Sequence, residues 1–421
     1  MMRGSVFEIQ PPGSFPLCVE LQFQADAARD LQTISDRIRQ ATRSLTVFGL
    51  ILTGSVARGE GTLVADPVTG NRWMGDLECV VVVPKRQIAG EVDQLLRNLE
   101  VELSSDLTYH SRGLKIGLTP MPLSRLRHLR PSIFNREFLE HGKLLWGKPK
   151  ALALPEWWRQ GAHEVPRRDA FRLLNNRIIQ QIATRMRHET ADIDPVAAEY
   201  SISKLWIELA TSLSVFLDCY RSSYLERQNA LEDVFVSRQS LFDVDFQSLF
   251  IARLKESMSI KFGRRPTDLC HTSERFEEVA RAAARIWFWE TASMLGADRD
   301  DCDWTNVISR LRGLETPRQR LRDWIRFFTH QKILHGITPA WVRSLCAVMR
   351  AGSFANAIYA TGCLLEFHWE AIADEISPGP QIVKTLQRFF DSCAGSGRNQ
   401  RMMLTRSAHS AWDTHLRSAA V

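Results

Sequence analysis

Apolar residues recur at two different periods along this chain, and the change from one to the other falls near residue 150. Before it, short apolar runs bounded by turn residues alternate with longer stretches spaced by three and four. After it, nearly every apolar pattern has helical spacing. Positions 23–42 predict a helix with Leu31, Ile34, Ile38 and Ala41 on one stripe. Positions 45–52 read as a buried strand that closes at Thr53-Gly54-Ser55, and 76–83 as a second strand stopped by Pro84. A helix over 88–103 carries Val92, Leu95, Leu96 and Leu99 on one face, and a third strand over 114–119 ends before Pro120. Strands alternating with helices predict an α/β sheet domain over 1–150. Helices are then expected over 169–188, 196–228, 246–260, 273–295, 317–330, 352–374 and 381–393. Residues 151–421 should therefore form an α-helical domain of one bundle or two. The fold class expected is α+β: an N-terminal domain with a mixed sheet, followed by a large all-α domain.

Composition narrows the function classes. Of 421 residues, 44% are apolar and 24% charged, with a formal charge of +6, which fits folded domains and fits disordered or collagen-like chains poorly. No apolar run approaches the roughly 18–20 residues that span a bilayer, so no membrane partner is expected. The N-terminus carries Pro11, Pro12 and Pro16 in place of a signal peptide's apolar stretch. Eight cysteines are dispersed without a C-x-x-C pair, which reads as reduced and intracellular, with the cytoplasm the expected location. A P-loop is missing, and His188-Glu189 lacks the second histidine of a zincin motif.

Chemistry concentrates in Leu52-Thr-Gly54-Ser55-Val-Ala-Arg58-Gly59-Glu60 and Asp76-Leu77-Glu78. Gly54 permits close backbone approach, and Ser55 offers a hydroxyl where a strand enters a helix, whose orphan N–H groups favour phosphate. Arg58 could add a charge-assisted contact, and Lys115 is a further candidate phosphate ligand. Asp76 and Glu78 stand two apart on a strand and so share a face. Carboxylates so placed repel unless a cation lies between them, and Mg²⁺ prefers carboxylate and phosphate oxygens. A strand-borne Asp-x-Glu beside a Gly-Ser turn thus suits metal-assisted phosphoryl or nucleotidyl transfer.

These residues resemble the nucleotidyltransferase fold of the DNA polymerase β superfamily, whose signature is an apolar strand, Gly-Ser, then an Asp-x-Asp or Asp-x-Glu pair on the next strand. The stretch Phe138-Leu-Glu-His-Gly142 through Pro149 also resembles the segment that follows the catalytic sheet in small bacterial members. The resemblance covers roughly 45–150. It implies that Gly54 and Ser55 hold a nucleoside triphosphate, with ATP the first candidate. It implies that Asp76 and Glu78 ligate Mg²⁺, and that a nucleoside monophosphate passes to a hydroxyl or amine acceptor with release of pyrophosphate.

Two departures from the pattern stand out. Twenty residues separate Ser55 from Asp76, and the excess around Asp66-Pro67-Val-Thr-Gly70-Asn71 reads as a turn-tipped hairpin. The family's third carboxylate, on the next strand, has no counterpart in Lys115-Ile-Gly117-Leu-Thr119, which leaves Glu102 and Asp106 as candidates to complete the site. A catalytically degenerate protein that senses or scaffolds by binding nucleotide is the alternative. Between 123 and 187 there are 14 Lys and Arg against 5 Asp and Glu. This could attract RNA but more simply forms a solvated face, so an RNA partner is not favoured. Trp157-Trp158 and Ile286-Trp-Phe-Trp289 are expected in cores or interfaces.

Overall fold

In a computed structural model of the chain, the structure describes residues 21–66, 70–84, 86–106, 115–148, 155–160, 164–238, 241–263, 271–296, 311–318, 320–321, 354–367 and isolated positions at 369, 402, 405–406, 408–410 and 412–413. The chain divides into two compact units. One is Met1–Asp169 with Leu217–Thr267; the other is Ala170–Phe216 with Asp268–Val421. A single boundary near 150 therefore does not describe the division. Part of the helical region, including Tyr224–Ser237 and Val244–Lys261, belongs with the sheet.

The described part of the first unit opens with α1 (Leu21–Ala41), β1 (Gly49–Thr53) and a single turn, α2 (Gly54–Ala57). The hairpin expected in the insertion is present, as β2 (Leu63–Asp66) paired antiparallel with β3 (Gly70–Trp73). Trp73 anchors its base, fully buried, with Nε1 donating to Asp30 on α1 at 3.0 Å. Then come β4 (Asp76–Val83), α3 (Arg86–Asp106) and β5 (Lys115–Pro122). The four-stranded sheet is ordered β5-β4-β1-β6, where β6 is Lys143–Gly147. β4 runs parallel to β5, and β1 runs antiparallel to both β4 and β6.

Alternation along the strands splits the core between two faces. Leu50, Leu52, Leu77, Cys79, Val81 and Val83 pack with α1 and α3 through Leu31, Ile34, Ile38, Val92, Leu96 and Leu99. Ile51, Val80 and Val82 face the other way, onto Met121, Leu126, Phe138 and Leu139. The last four belong to β5, α4 (Leu123–Arg127) and α5 (Ile133–His141).

β5 runs on through Pro120 and Pro122, where the sequence reading ended it. It lies at the sheet's edge, where an imide costs no ladder bond if its nitrogen faces away from the neighbouring strand. Leu118, of the same parity, has its N–H taken by Glu100 of α3 at 2.5 Å. One carboxylate and two prolines thus blunt this edge against further pairing. α6 (Glu156–Arg159) places Trp157 and Trp158 against the α5-side core, with Trp157 Nε1 donating to the Leu129 carbonyl. Two further described helices belong to the unit: α9 (Tyr224–Ser237), capped by Ser223, and α10 (Val244–Lys261), capped by Asp243.

The second unit holds most of α7 (Arg167–Glu189), α8 (Pro195–Phe216), α11 (Thr272–Leu295) and α12 (Phe354–Phe367). The single helix expected over 196–228 is two, interrupted at 217–223, where Asp218 adopts φ 59°. Ile286 and Trp287 are core residues as expected, and Trp287 Nε1 donates to Asn175 at 3.0 Å. α12 comes close to α7 at Gly362, where a Cβ would meet Ile179 at 2.5 Å. The helix expected over 381–393 and most of that over 317–330 lie outside the described residues.

Candidate functional site

β4 sets Asp76 and Glu78 on one face of the sheet, the face of Val80 and Val82, while Leu77 and Cys79 point into the opposite core. Pairing with β1 puts Glu78 across from Thr53, the last residue before the Gly-Ser turn. Gly54 has φ +71°, and a Cβ built there would lie 2.8 Å from Glu78 Oε2. A Cβ at Gly117 on β5 would lie 3.9 Å from Glu78 Cγ. The glutamate therefore rests between two glycine backbones, its carboxylate against the turn. Asp76 is exposed at the strand's start and Glu78 is half-buried. Thr53 Oγ1 is buried and has no hydrogen-bond partner among the described residues.

Ser55 lies at the start of the helix that follows the strand, as expected, but that helix has only four residues, so few peptide dipoles align there. A cation lies beside it. Lys261 Nζ, from the last residue of α10, donates to Ser55 Oγ at 3.4 Å and lies 5.8 Å from the centre of the Tyr224 ring. The Lys261 carbonyl accepts a bond from Thr62 Oγ1 at 2.8 Å, which fastens the end of α10 to the segment after the turn. The sequence reading missed Lys261. Its only local signal is a lysine in a helix's last turn, the commonest place for a solvated one, yet this residue is only 3% exposed.

Arg58, expected to contact phosphate, is engaged elsewhere. Its Nε donates to Glu60 at 2.7 Å and its Nη1 to Glu137 on α5 at 2.5 Å, with the guanidinium over the Tyr224 ring. Glu137 also accepts from Arg227 at 3.0 Å and from the Tyr220 hydroxyl at 2.7 Å. The other oxygen of Glu60 accepts from Ser223 Oγ and the Tyr224 N–H. Burial pushes the Glu137 carboxyl up, but Arg58, Arg227 and the Tyr220 hydroxyl together hold it below the ordinary carboxylate value. The physical reason for this pairing is desolvation: a guanidinium taken from water needs carboxylates, and Glu60 and Glu137 supply them. His141 accepts or donates a bond with Ser222 Oγ at 2.7 Å beside this cluster, and burial lowers its pKa.

The remaining candidates fare differently. The backbone of Lys115 pairs with Asp76, but its side chain lies outside the described residues. Glu102 is exposed on α3, and the side chain of Asp106 is outside the described residues. Among the described residues no group of three or more metal-ligating side chains occurs. Asp76 and Glu78 thus stand as a pair, the donor set that suits Mg²⁺, which commonly takes one or two carboxylates and fills its other positions with phosphate oxygens and water. The unsatisfied Thr53 hydroxyl, on the residue paired with Glu78, fits such a group. No protein-family model matches the chain, and neither a curated protein nor a solved structure matches it. No described helix is long and apolar enough to cross a membrane.

Proposed function

We propose that this chain is a Mg²⁺-dependent nucleotidyltransferase that moves a nucleoside monophosphate from an NTP, with ATP the first candidate, to a hydroxyl or amine acceptor. The observation that carries the reading is the placement of Asp76 and Glu78 on one face, with the Glu78 carboxylate against Gly54. Asp76 and Glu78 would hold the metal, which supplies charge neutralisation to the phosphates when bound. Gly54 lets the Glu78 carboxylate lie against the turn, and the Ser55 and Thr53 hydroxyls offer hydrogen bonds to phosphate oxygens. The cluster around Glu137 holds the end of this turn through Arg58 and Glu60. RNA remains outside the reading as acceptor, and the cytoplasm, where NTPs and Mg²⁺ are abundant, is the proposed location.

Incubation with α-labelled NTPs, Mg²⁺ and a panel of hydroxyl and amine acceptors tests the reaction. Label in an acceptor with stoichiometric pyrophosphate is the expected result. Failure of every NTP to react, with or without Asp76→Asn, would remove the transferase reading. The second reading, a nucleotide-binding sensor, is favoured by the lack of a third carboxylate among the described residues. Saturable NTP binding without pyrophosphate release would select it.

A further inference from the structure

We infer that Arg185 is a proton-controlled tie in the second unit: it joins α7 to α11 through Glu277 while Glu366 keeps its proton, and joins α7 to α12 through Glu366 once that proton leaves. The inference concerns this unit alone and stands apart from the transferase reading. Three observations carry it. The first is Glu366 itself, on α12. It is 1% exposed, and among the described residues neither of its oxygens has a hydrogen-bond partner. An ionised carboxylate so placed is far more costly than a protonated carboxyl unless a cation joins it. The second is the position of Arg185. Its Nη2 pairs with Glu277 of α11, and its guanidinium lies 5.9 Å from the centre of the Phe276 ring and 5.0 Å from that of Trp369. Its charge favours the ionised form of Glu366 although no hydrogen bond joins the two. The third is the contrast between the two acids. The Glu277 side chain is 34% exposed, so water can take over its carboxylate when the arginine leaves. Burial denies Glu366 that substitute.

The other ionisable groups nearby are engaged in ways that leave the exchange to these two acids. On α12, burial and the neighbouring Glu366 push the Cys363 thiol up, so it stays protonated and donates to Asn175 Oδ1 at 3.2 Å. On α7, Glu189 accepts from Trp369 Nε1, and the His188 ring lies 5.5 Å from that of Phe276. On α11, Arg275 is paired with Glu199 of α8 at 3.1 Å. When Glu366 gives its proton to solvent, one negative charge appears in the core with the Arg185 guanidinium beside it. Rotation about the side-chain bonds of Arg185 carries the guanidinium from the solvated acid to the buried one, where its charge is worth more. Return of the proton reverses the step. Burial pushes Glu366 up to about 7, so the exchange falls near neutral pH and not at the acid end where carboxylates ordinarily titrate. The Trp369 ring lies against the guanidinium and therefore reports its movement.

Titration of the full-length protein from about pH 5.5 to about pH 8.5, followed by infrared absorption of protonated carboxyl groups and by tryptophan fluorescence, tests the inference. Subtraction of the Glu366→Gln spectra isolates Glu366, and Trp369→Phe isolates the reporting ring. A one-proton transition near pH 7 is expected in both signals of the wild type. Glu366→Gln should lack it, and Trp369→Phe should keep the infrared part alone. Glu277→Gln decides between a switch and a merely buried acid, since it removes the competitor at a partly solvated position. It should lower the Glu366 midpoint by at least about one unit, a tenfold change in proton affinity. Circular dichroism establishes that the variants are folded. Should Glu366→Gln not fold, the midpoint shift between wild type and Glu277→Gln carries the test. A Glu366 midpoint unchanged in Glu277→Gln overturns the inference. So does a carboxyl that titrates without moving the Trp369 fluorescence, or one that does not titrate across this range. None of these readouts depends on NTP binding or pyrophosphate release, so the transferase reading can fail while the switch stands, and the reverse.

Discussion

Gly54 answers two demands at one position: its backbone lies at φ +71°, and its missing side chain makes room for the Glu78 carboxylate. Gly54→Ala should cost about 1–2 kcal/mol for the left-handed backbone, and should also displace Glu78, whose flexible end is what the new methyl meets. The expected outcome is a modest fall in stability by chemical denaturation with a larger loss of Mg²⁺-dependent nucleotide affinity. Equal affinity in the variant would detach Glu78 from the site. Glu137 serves differently. It is the acid shared by Arg58 and Arg227, so Glu137→Gln leaves two buried guanidinium groups short of charge. A loss of about 3–5 kcal/mol is expected, the usual size for one partner removed from a buried ion pair. Thermal unfolding measures it, and a change below about 1 kcal/mol, the size of a surface pair, would mean that water reaches the cluster.

Among the elements, β4 was fully legible: eight residues running from an acid through four valines and stopped by proline have the same bounds in the sequence reading and in the structure. β5 was legible in type and misread in length, because proline's cost in a strand depends on which side its nitrogen faces, and an isolated sequence does not say which strand is the edge. β6 escaped notice since Lys143–Gly147 is short and follows directly on a helix. The hairpin was visible in its turn residues. In the second unit, α11 and α12 bury acids that helical periodicity cannot distinguish from surface ones. Burial pushes Glu290 up to about 8 despite a bond from Ser212, and Glu366 up to about 7 despite Arg185. Both are raised from 4.5, so the unfolded chain gives up these protons first. The stability they contribute is full below about pH 4.5 and is lost as pH climbs toward 7 for Glu366 and 8 for Glu290. Glu290→Gln should flatten the decline in melting temperature between pH 5 and 8; a decline as steep as wild type would contradict this burial.

At the scale of the whole molecule, the catalytic candidates in the sheet could be read from sequence because they are local: a turn, and two acids on one strand. The residues that surround the turn could not. Ser55 and Lys261 are 206 positions apart, and Glu60 and Ser223 are 163 apart, so no periodicity or spacing links them. Local pattern offers Arg58 to a ligand as a basic residue near a phosphate turn; the structure pairs it with Glu60, two residues on, and with Glu137 of α5, 79 positions away, a partner no local pattern reveals. That the unit closes with 217–267 explains why the boundary near 150, clear as a change of period, does not mark the end of the sheet-bearing unit. The proposed function requires Asp76 and Glu78, facing the Gly54-Ser55 turn, to act as one metal-nucleotide site. Titration of ATP into wild type and the Asp76→Asn/Glu78→Gln double variant, with Mg²⁺ and then with EDTA, tests it most directly. Saturable binding is expected in wild type, weakened by about tenfold or more by EDTA and by the double variant alike. Binding of equal strength in all three conditions, or none in wild type, would contradict it.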